Sequence, residues 1–225
     1  MRFRIDLKIF LLILLFYFTK QVEIYAMIML FAIIHELGHL LAGIYLGMKP
    51  EKFEIMPYGI SVSFKLTPKD FNKKIKKANQ LELKKILVAL AGPVTNLVII
   101  IITLQLNLNI FSSLLIIYSN FLLMVFNLLP IYPLDGGRII KGFLHIYFGK
   151  KRAEKYINNI SFITLILLTC ISSILIYKIE NIAIFLIIIV LWVIFIKEDI
   201  VYRRKNKIYK SVLQFTAKTN TTLNK

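Results

Sequence analysis

Residues 24–48 read IYAMIMLFAIIHELGHLLAGIYLGM, a run that is almost wholly apolar apart from His35, Glu36 and His39. A run of this length and character predicts a helix that crosses a bilayer. Such a helix places His35 and His39 one turn apart on the same face, where both imidazoles can bind a single metal ion. Glu36 lies beside them and can serve as a general base, so His-Glu-x-x-His predicts a hydrolytic zinc site.

The motif is far from both ends of the predicted span. With about 8 to 12 residues on each side, at about 1.5 Å per residue, it lies roughly 12–18 Å below each membrane surface. Ionisable residues at this depth are costly and usually functional. The same side chains would also suit an ion or proton path through the membrane, and the motif alone leaves that alternative open.

The composition is that of an integral membrane protein. Of the 225 residues, 58% are hydrophobic, and the mean hydropathy is +0.72, outside the usual range of soluble domains. The first of the apolar runs is short and has a basic start, which would also fit a signal peptide. Since no convincing small-residue cleavage site follows it, an uncleaved helix is expected. The predicted spans are 9–19, 24–48, 86–106, 110–129, 160–177 and 182–196.

The basic residues predict the orientation of the chain. Segments 1–8, 48–85, 130–158 and 197–225 hold 27 of the 29 lysines and arginines. The positive-inside rule therefore predicts that these segments, and both termini, are cytoplasmic. The net charge of +17 then reflects topology and attraction to anionic lipid, and no nucleic-acid partner is needed to explain it. We expect a multi-pass protein of the cell membrane, with the lipid bilayer as its immediate partner.

Three segments between the spans predict further structure. Residues 59–66 alternate between polar and apolar side chains after a turn-forming Pro-Tyr-Gly, so a small hairpin is predicted over 53–66. Its edge would suit an extended substrate, or the hairpin would simply pack on the helices. Residues 67–85 and 138–155 have the apolar and basic pattern of interfacial helices. The predicted fold is an all-α polytopic membrane protein of about six transmembrane helices, with a small cytoplasmic β-hairpin and interfacial helices.

A second polar segment, Asn127-Leu128-Leu129-Pro130-Ile131-Tyr132-Pro133-Leu134-Asp135-Gly136-Gly137, follows the fourth span. The prolines end a helix, and the glycine pair allows a tight turn. Asp135 is its only acid, and with the two histidines it would complete a three-ligand zinc site that keeps a position for water. The segment would then have to line a wet cavity below the cytoplasmic surface. The alternative is an ordinary loop turn with a solvated carboxylate.

The third span begins near Gly92-Pro93 and contains Asn96. A Gly-Pro pair in a span predicts a kinked helix that packs closely on a neighbour. Asn96 would hydrogen-bond a neighbouring helix or reach the metal site, and packing is the simpler expectation. His145 has no partner at metal-binding spacing in the sequence and is expected to be an ordinary interfacial histidine.

Together, these motifs resemble the site-2 protease family of intramembrane zinc metalloproteases, peptidase family M50. The resemblance rests on His35-Glu36-x-x-His39 in one membrane helix, followed by Asn127-x-x-Pro130 and Leu134-Asp135-Gly136. Gly92-Pro93-x-x-Asn96 is similar to the family's third-helix pattern. The resemblance covers roughly residues 20–196.

The resemblance implies one zinc ion per chain, bound by His35, His39 and Asp135, with Glu36 as the catalytic base. It implies regulated proteolysis of a membrane-associated protein substrate, with membrane proteins as inhibitors or regulators. Four further residues would support the site or bind substrate: Asn127, Pro130, Gly136 and Asn96.

The six-span layout is similar to the stage IV sporulation branch of that family. This branch implies a sigma-factor precursor as substrate and the outer forespore membrane as location. Its members typically carry a CBS domain, whereas here we expect a protease domain over 1–196 and a short basic cytoplasmic tail over 197–225, with no CBS or PDZ domain. The rival function is a membrane metal-ion or proton transporter that uses His35, His39 and Asp135 as a transit site.

Overall fold

The computed structural model describes residues 2–5, 22–56, 59–65, 75–106, 113–179 and 182–223. The described residues form six helices and a three-stranded sheet. The expected first span, 9–19, lies outside them, and so do residues 110–112 of the expected fourth span.

The helices confirm the predicted fold class. Within the described residues, three stretches are long and apolar enough to cross a membrane, namely Ala26–Tyr45, Asn79–Leu106 and Lys150–Ile174, and Ser113–Asn127 is a shorter apolar helix. The chain is therefore a multi-pass membrane protein built from helices. The six helices are α1 (Val22–Tyr45), α2 (Ile75–Leu106), α3 (Ser113–Asn127), α4 (Asp135–Phe148), α5 (Lys150–Ile179) and α6 (Ile182–Leu223).

Three helix boundaries differ from the expected ones. Residues 75–85 were expected in a separate interfacial helix but are the first turns of α2. The interfacial helix expected over 138–155 is α4, which ends at Phe148, and the chain passes Gly149 at φ 78° before α5 begins. Helix α6 continues beyond residue 196 to Leu223. Basic residues are good helix formers with long apolar stems, so a span can continue as a helix into polar sequence.

The predicted hairpin is confirmed, and a third strand joins it. Strand β2 (Lys49–Met56) pairs antiparallel with β3 (Gly59–Lys65), and β1 (Arg2–Ile5) pairs parallel with the other edge of β2. The sheet order is therefore β1-β2-β3. A Cβ added at Gly43 would overlap the ring of Phe64, so β3 packs directly on α1 close to the histidine motif.

Helices α5 and α6 hold the segment between α3 and α4. Ile131 of that segment is fully buried with Leu165 of α5 and Phe195 of α6. The backbone N–H of Tyr132 donates to Ser161 Oγ, 3.0 Å away. Because α4 begins immediately after this segment, these contacts set the position of Asp135.

Candidate metal centre

The structure brings three potential metal ligands together in the interior. His35 and His39 lie one turn apart on α1, and Asp135 is the first residue of α4. All three are buried, with exposed fractions of 3% to 4%. Nε2 of His35, Nε2 of His39 and Oδ2 of Asp135 lie 3.1 Å from one another. Among the described residues this is the group of His, Cys, Asp and Glu side chains that could hold a metal ion.

The spacing of these atoms fits a zinc ion. Ligands at about 2.0–2.1 Å on a tetrahedral zinc ion lie about 3.3 Å from one another, close to the 3.1 Å found here. Two imidazole nitrogens and a carboxylate oxygen are also a donor set that zinc commonly uses in catalytic sites. Acceptor atoms this close in an apolar interior need a shared proton or a cation between them.

Helix α2 orients His39. Nδ1 of His39 donates to the carbonyl oxygen of Val88 at 2.7 Å, so Nε2, which faces Asp135, is the nitrogen left to bind a metal ion. Pro93 lies in the next turn, and a proline inside a helix removes a backbone hydrogen bond and distorts the preceding turn. A Cβ at Gly92 would overlap Nε2 of both histidines, so residue 92 must lack a side chain.

The Gly-Gly pair after Asp135 has a role other than the expected one. Gly136 and Gly137 lie in the first turn of α4 rather than in a tight turn. A Cβ at Gly136 would overlap the carbonyl of Leu128, and one at Gly137 would press on the backbone of Ile131. The glycines therefore allow the start of α4 to pack against the preceding segment. Because Asp135 is buried at the start of a helix, the alternative of an ordinary loop turn with a solvated carboxylate is excluded.

Arg138 was not singled out from the sequence but lies next to the centre. Its Nη1 is 3.6 Å from Oδ1 of Asp135, the carboxylate oxygen that does not face the histidines. The Arg138 side chain is 44% exposed, so it balances the carboxylate charge from the outer side. An acid followed three residues later by arginine on a predicted helix is the signal that could have revealed it.

The other predicted site residues differ in burial and in hydrogen bonding. Glu36 is half-buried on α1, one position after His35, and Pro130 is half-buried in the segment before α4. Asn127 donates from Nδ2 to the carbonyl of Leu123 in its own helix, 3.0 Å away. Asn96 is fully buried, and neither atom of its amide has a hydrogen-bond partner within the described part of the chain.

His145 is more than an ordinary interfacial histidine. Its Nδ1 lies 3.1 Å from Oε1 of Glu82, which also accepts from Lys85 Nζ at 2.7 Å. Glu82 belongs to α2 and His145 to α4, so the pair joins these helices at the end of α4 that is farther from Asp135. Because the two partners are far apart in the sequence, no local pattern indicated this contact.

Comparisons with known proteins agree with this arrangement. A sequence model described as peptidase family M50 matches residues 23–112 and 103–170. The chain is 30% identical over 135 residues to zinc metalloprotease MJ0392 of Methanocaldococcus jannaschii, a match that covers 57% of this chain and 36% of that protein. The chain thus spans little more than a third of the length of that curated relative. The fold is similar to the site-2 protease structure from Methanocaldococcus jannaschii, with a TM-score of 0.60 and 21% identity, covering 86% of this chain and 88% of that one.

Proposed function

The chain belongs to peptidase family M50, and on that premise we propose that it is an intramembrane zinc metalloprotease. The observation that carries the proposal is the buried triangle of His35, His39 and Asp135 on helices of a membrane protein. We propose these three residues as the ligands of one zinc ion. A bound zinc ion would supply Lewis acidity, which lowers the pKa of water towards about 7 and favours negative charge on a carbonyl oxygen.

We propose Glu36 as the general base. It follows His35 directly, and its half-buried carboxylate would accept a proton from water as that water attacks the scissile carbonyl carbon. It would then pass the proton to the amine nitrogen when the C–N bond breaks. Water would reach the site from the cytoplasmic side, along the non-helical segment before α4, because irregular backbone at this depth is tolerated where it lines a wet cavity.

The substrate would be a membrane-associated protein, presented as an extended strand. A helical substrate engages its amides in its own hydrogen bonds, so it must unwind before cleavage. Strand β2 has a partner on each edge, so the outer edges among the described strands are those of β1 and β3. We propose the outer edge of β3 as the receiver, because β3 packs on α1. A Ser63→Cys substitution in a Cys170→Ser background should cross-link to a substrate cysteine, while Lys52→Cys on the central strand should not.

The finer assignment is to the stage IV sporulation branch. Its support is the distribution of basic residues, which favours cytoplasmic termini, and the series of apolar spans. On this proposal residues 1–196 form the protease domain, and the substrate is a sigma-factor precursor in the outer forespore membrane. Asn127, Pro130, Gly136 and Asn96 would support the site or contact substrate, and membrane proteins would regulate access.

Metal analysis combined with a cleavage assay tests the proposal. Purified protein should carry about one zinc ion per chain and cleave a co-expressed membrane substrate. Glu36→Gln should retain zinc but lose cleavage, because it removes the base and leaves the three ligands in place. Asp135→Ala should lose both. Metal-free protein, or cleavage by Glu36→Gln, would contradict the proposal, and ion flux without cleavage in proteoliposomes would support the transporter instead.

A further inference from the structure

The two histidines of the metal centre differ in what their outer nitrogens contact. Nδ1 of His39 donates to the Val88 carbonyl at 2.7 Å. Nδ1 of His35 is buried and has no hydrogen-bond partner among the described residues. A buried donor without a partner is energetically unfavourable, and metal-bound histidines almost always donate their second N–H to a further hydrogen-bond acceptor. His35 therefore needs a contact that the described side chains and backbone do not give it directly.

Asn96 is a second buried polar group that has no hydrogen-bond partner among the described residues. It is 0% exposed, and both Nδ2 and Oδ1 lack a partner in the described residues. An amide side chain can donate two hydrogen bonds and accept two, so its complete isolation within a membrane helix is costly. Thr103, two turns further along α2, has no such deficit, because its hydroxyl donates to the Ile99 carbonyl of its own helix at 2.8 Å.

The packing of α1 on α2 brings these two groups to the same level. Lys84 Nζ of α2 donates to the carbonyl oxygen of Leu46, just beyond α1. Further along α2, Val88 and Gly92 contact His39 of α1. A Cβ at Gly38 would overlap Thr95. As the residue number falls along α1, it rises along α2, so the helices are antiparallel.

Extending this register by one turn beyond the contact between His39 and Gly92 places Asn96 at about the level of His35. Asn96 lies four residues after Gly92 and so on the same face of α2. This is the face that Gly92 presents to both histidines.

We propose that Asn96 is a positioning residue for His35, and that it acts through one buried water molecule held between its amide and His35 Nδ1. A buried water typically makes about three hydrogen bonds to otherwise unsatisfied polar groups, and these two side chains offer three such atoms. The water accepts a hydrogen bond from His35 Nδ1, as the Val88 carbonyl does from His39 Nδ1. It thereby keeps the proton on Nδ1 and the Nε2 lone pair directed at the metal position. The inference rests on the proposed zinc site.

The test compares zinc affinity and stability of the full-length protein in detergent. Asn96→Leu keeps the number and branching of the heavy atoms of the side chain but cannot hold the water. Loss of the hydrogen bond from His35 Nδ1 to this water should weaken zinc binding about 10- to 100-fold in a competition titration with a chromophoric chelator. The thermal unfolding midpoint of the metal-free protein should stay the same or rise, because unpaired polar atoms are removed. Asn96→Ser, which keeps a hydroxyl and room for water, should recover most of the affinity.

Thr103→Val is the matched control, since it changes a buried polar side chain on the same face of α2. It should bind zinc as wild type does. Wild-type zinc affinity in Asn96→Leu would overturn the inference and leave the proposed protease intact. A lower metal-free midpoint in Asn96→Leu, with no recovery in Asn96→Ser, would also overturn it, because Asn96 would then be a packing residue. Failure of the wild-type protein to bind zinc would instead contradict the proposed function itself.

Discussion

The backbone nitrogen of Gly92 lies 3.3 Å from Nδ1 of His39. Helix α2 thus approaches the metal centre through its backbone, and no side chain stands between. A Cβ at residue 92 would overlap the Nε2 atoms of both histidines. This contact explains why a glycine is needed at residue 92: it permits the approach of α2 whose Val88 carbonyl accepts from His39.

Gly92→Ala should therefore disrupt the metal centre. The added methyl group overlaps the ligand nitrogens themselves, so the imidazoles must move out of their shared geometry. We expect zinc affinity to fall at least about 100-fold, the upper end of what loss of an outer contact causes. Gly142→Ala is the control, because its Cβ would overlap the side chain of Ile86 where α4 packs on α2, and it would meet neither histidine. Equal zinc affinity in the two variants would contradict the close approach described above.

Gly136→Ala should displace Asp135, the third proposed ligand. Its Cβ would overlap the carbonyl of Leu128, and backbone cannot move aside as a side-chain end can. The start of α4 would have to shift, and overpacking of this kind costs about 1–3 kcal/mol. We expect a lower thermal unfolding midpoint together with loss of bound zinc in metal analysis. Normal zinc content in a stably folded Gly136→Ala protein would show that Asp135 tolerates the shift and is not held by this contact.

The sequence predicted the parts of the site that depend on local spacing. His35 and His39 fall on one helix face because the helical period is about 3.6 residues, and the hairpin follows from alternation in 59–66 and a turn signal. The proximity of Asp135 to the histidines, which the structure shows at 3.1 Å, could be inferred only because acids are rare in this region. The shared helix face and the hairpin each follow from a short pattern of neighbouring residues.

The parts that could not be predicted depend on contacts between distant segments. A glycine has the same appearance in a sequence whether it serves a turn or a close approach, so Gly136 and Gly137 were misread as a turn. Strand β1 has four residues and pairs with a strand almost fifty residues later, which no local pattern reveals. The contact of His145 with Glu82 likewise joins separate helices.

Glu82→Gln tests that contact between α2 and α4. The Glu82 side chain is 11% exposed and accepts from both Lys85 and His145, so loss of its charge leaves two donors facing an amide. We expect the free energy of unfolding to fall by about 1–3 kcal/mol. Arg203→Gln is the control, because Arg203 is 77% exposed in its pair with Asp199, and such pairs contribute less than about 1 kcal/mol. Similar losses in both variants would mean that the Glu82 contact behaves as a surface ion pair.

Ser161→Ala tests how α5 positions the segment before α4. Ser161 is 1% exposed, and its Oγ accepts the backbone N–H of Tyr132 across the helix boundary. Without the hydroxyl that N–H loses its partner in a buried setting, which should lower the free energy of unfolding by about 1–3 kcal/mol. Zinc affinity should also fall, because the segment leads directly into Asp135.

Ser172→Ala is the matched control on the same helix. Ser172 is also buried, but its hydroxyl donates to the Thr169 carbonyl of its own helix, so its removal leaves no backbone donor unpaired. Stability and zinc affinity should stay close to those of the wild type. If Ser161→Ala loses stability but binds zinc normally, α5 supports the fold without setting the position of Asp135. If the two serine variants behave alike in both measurements, the hydrogen bond to Tyr132 makes no special contribution.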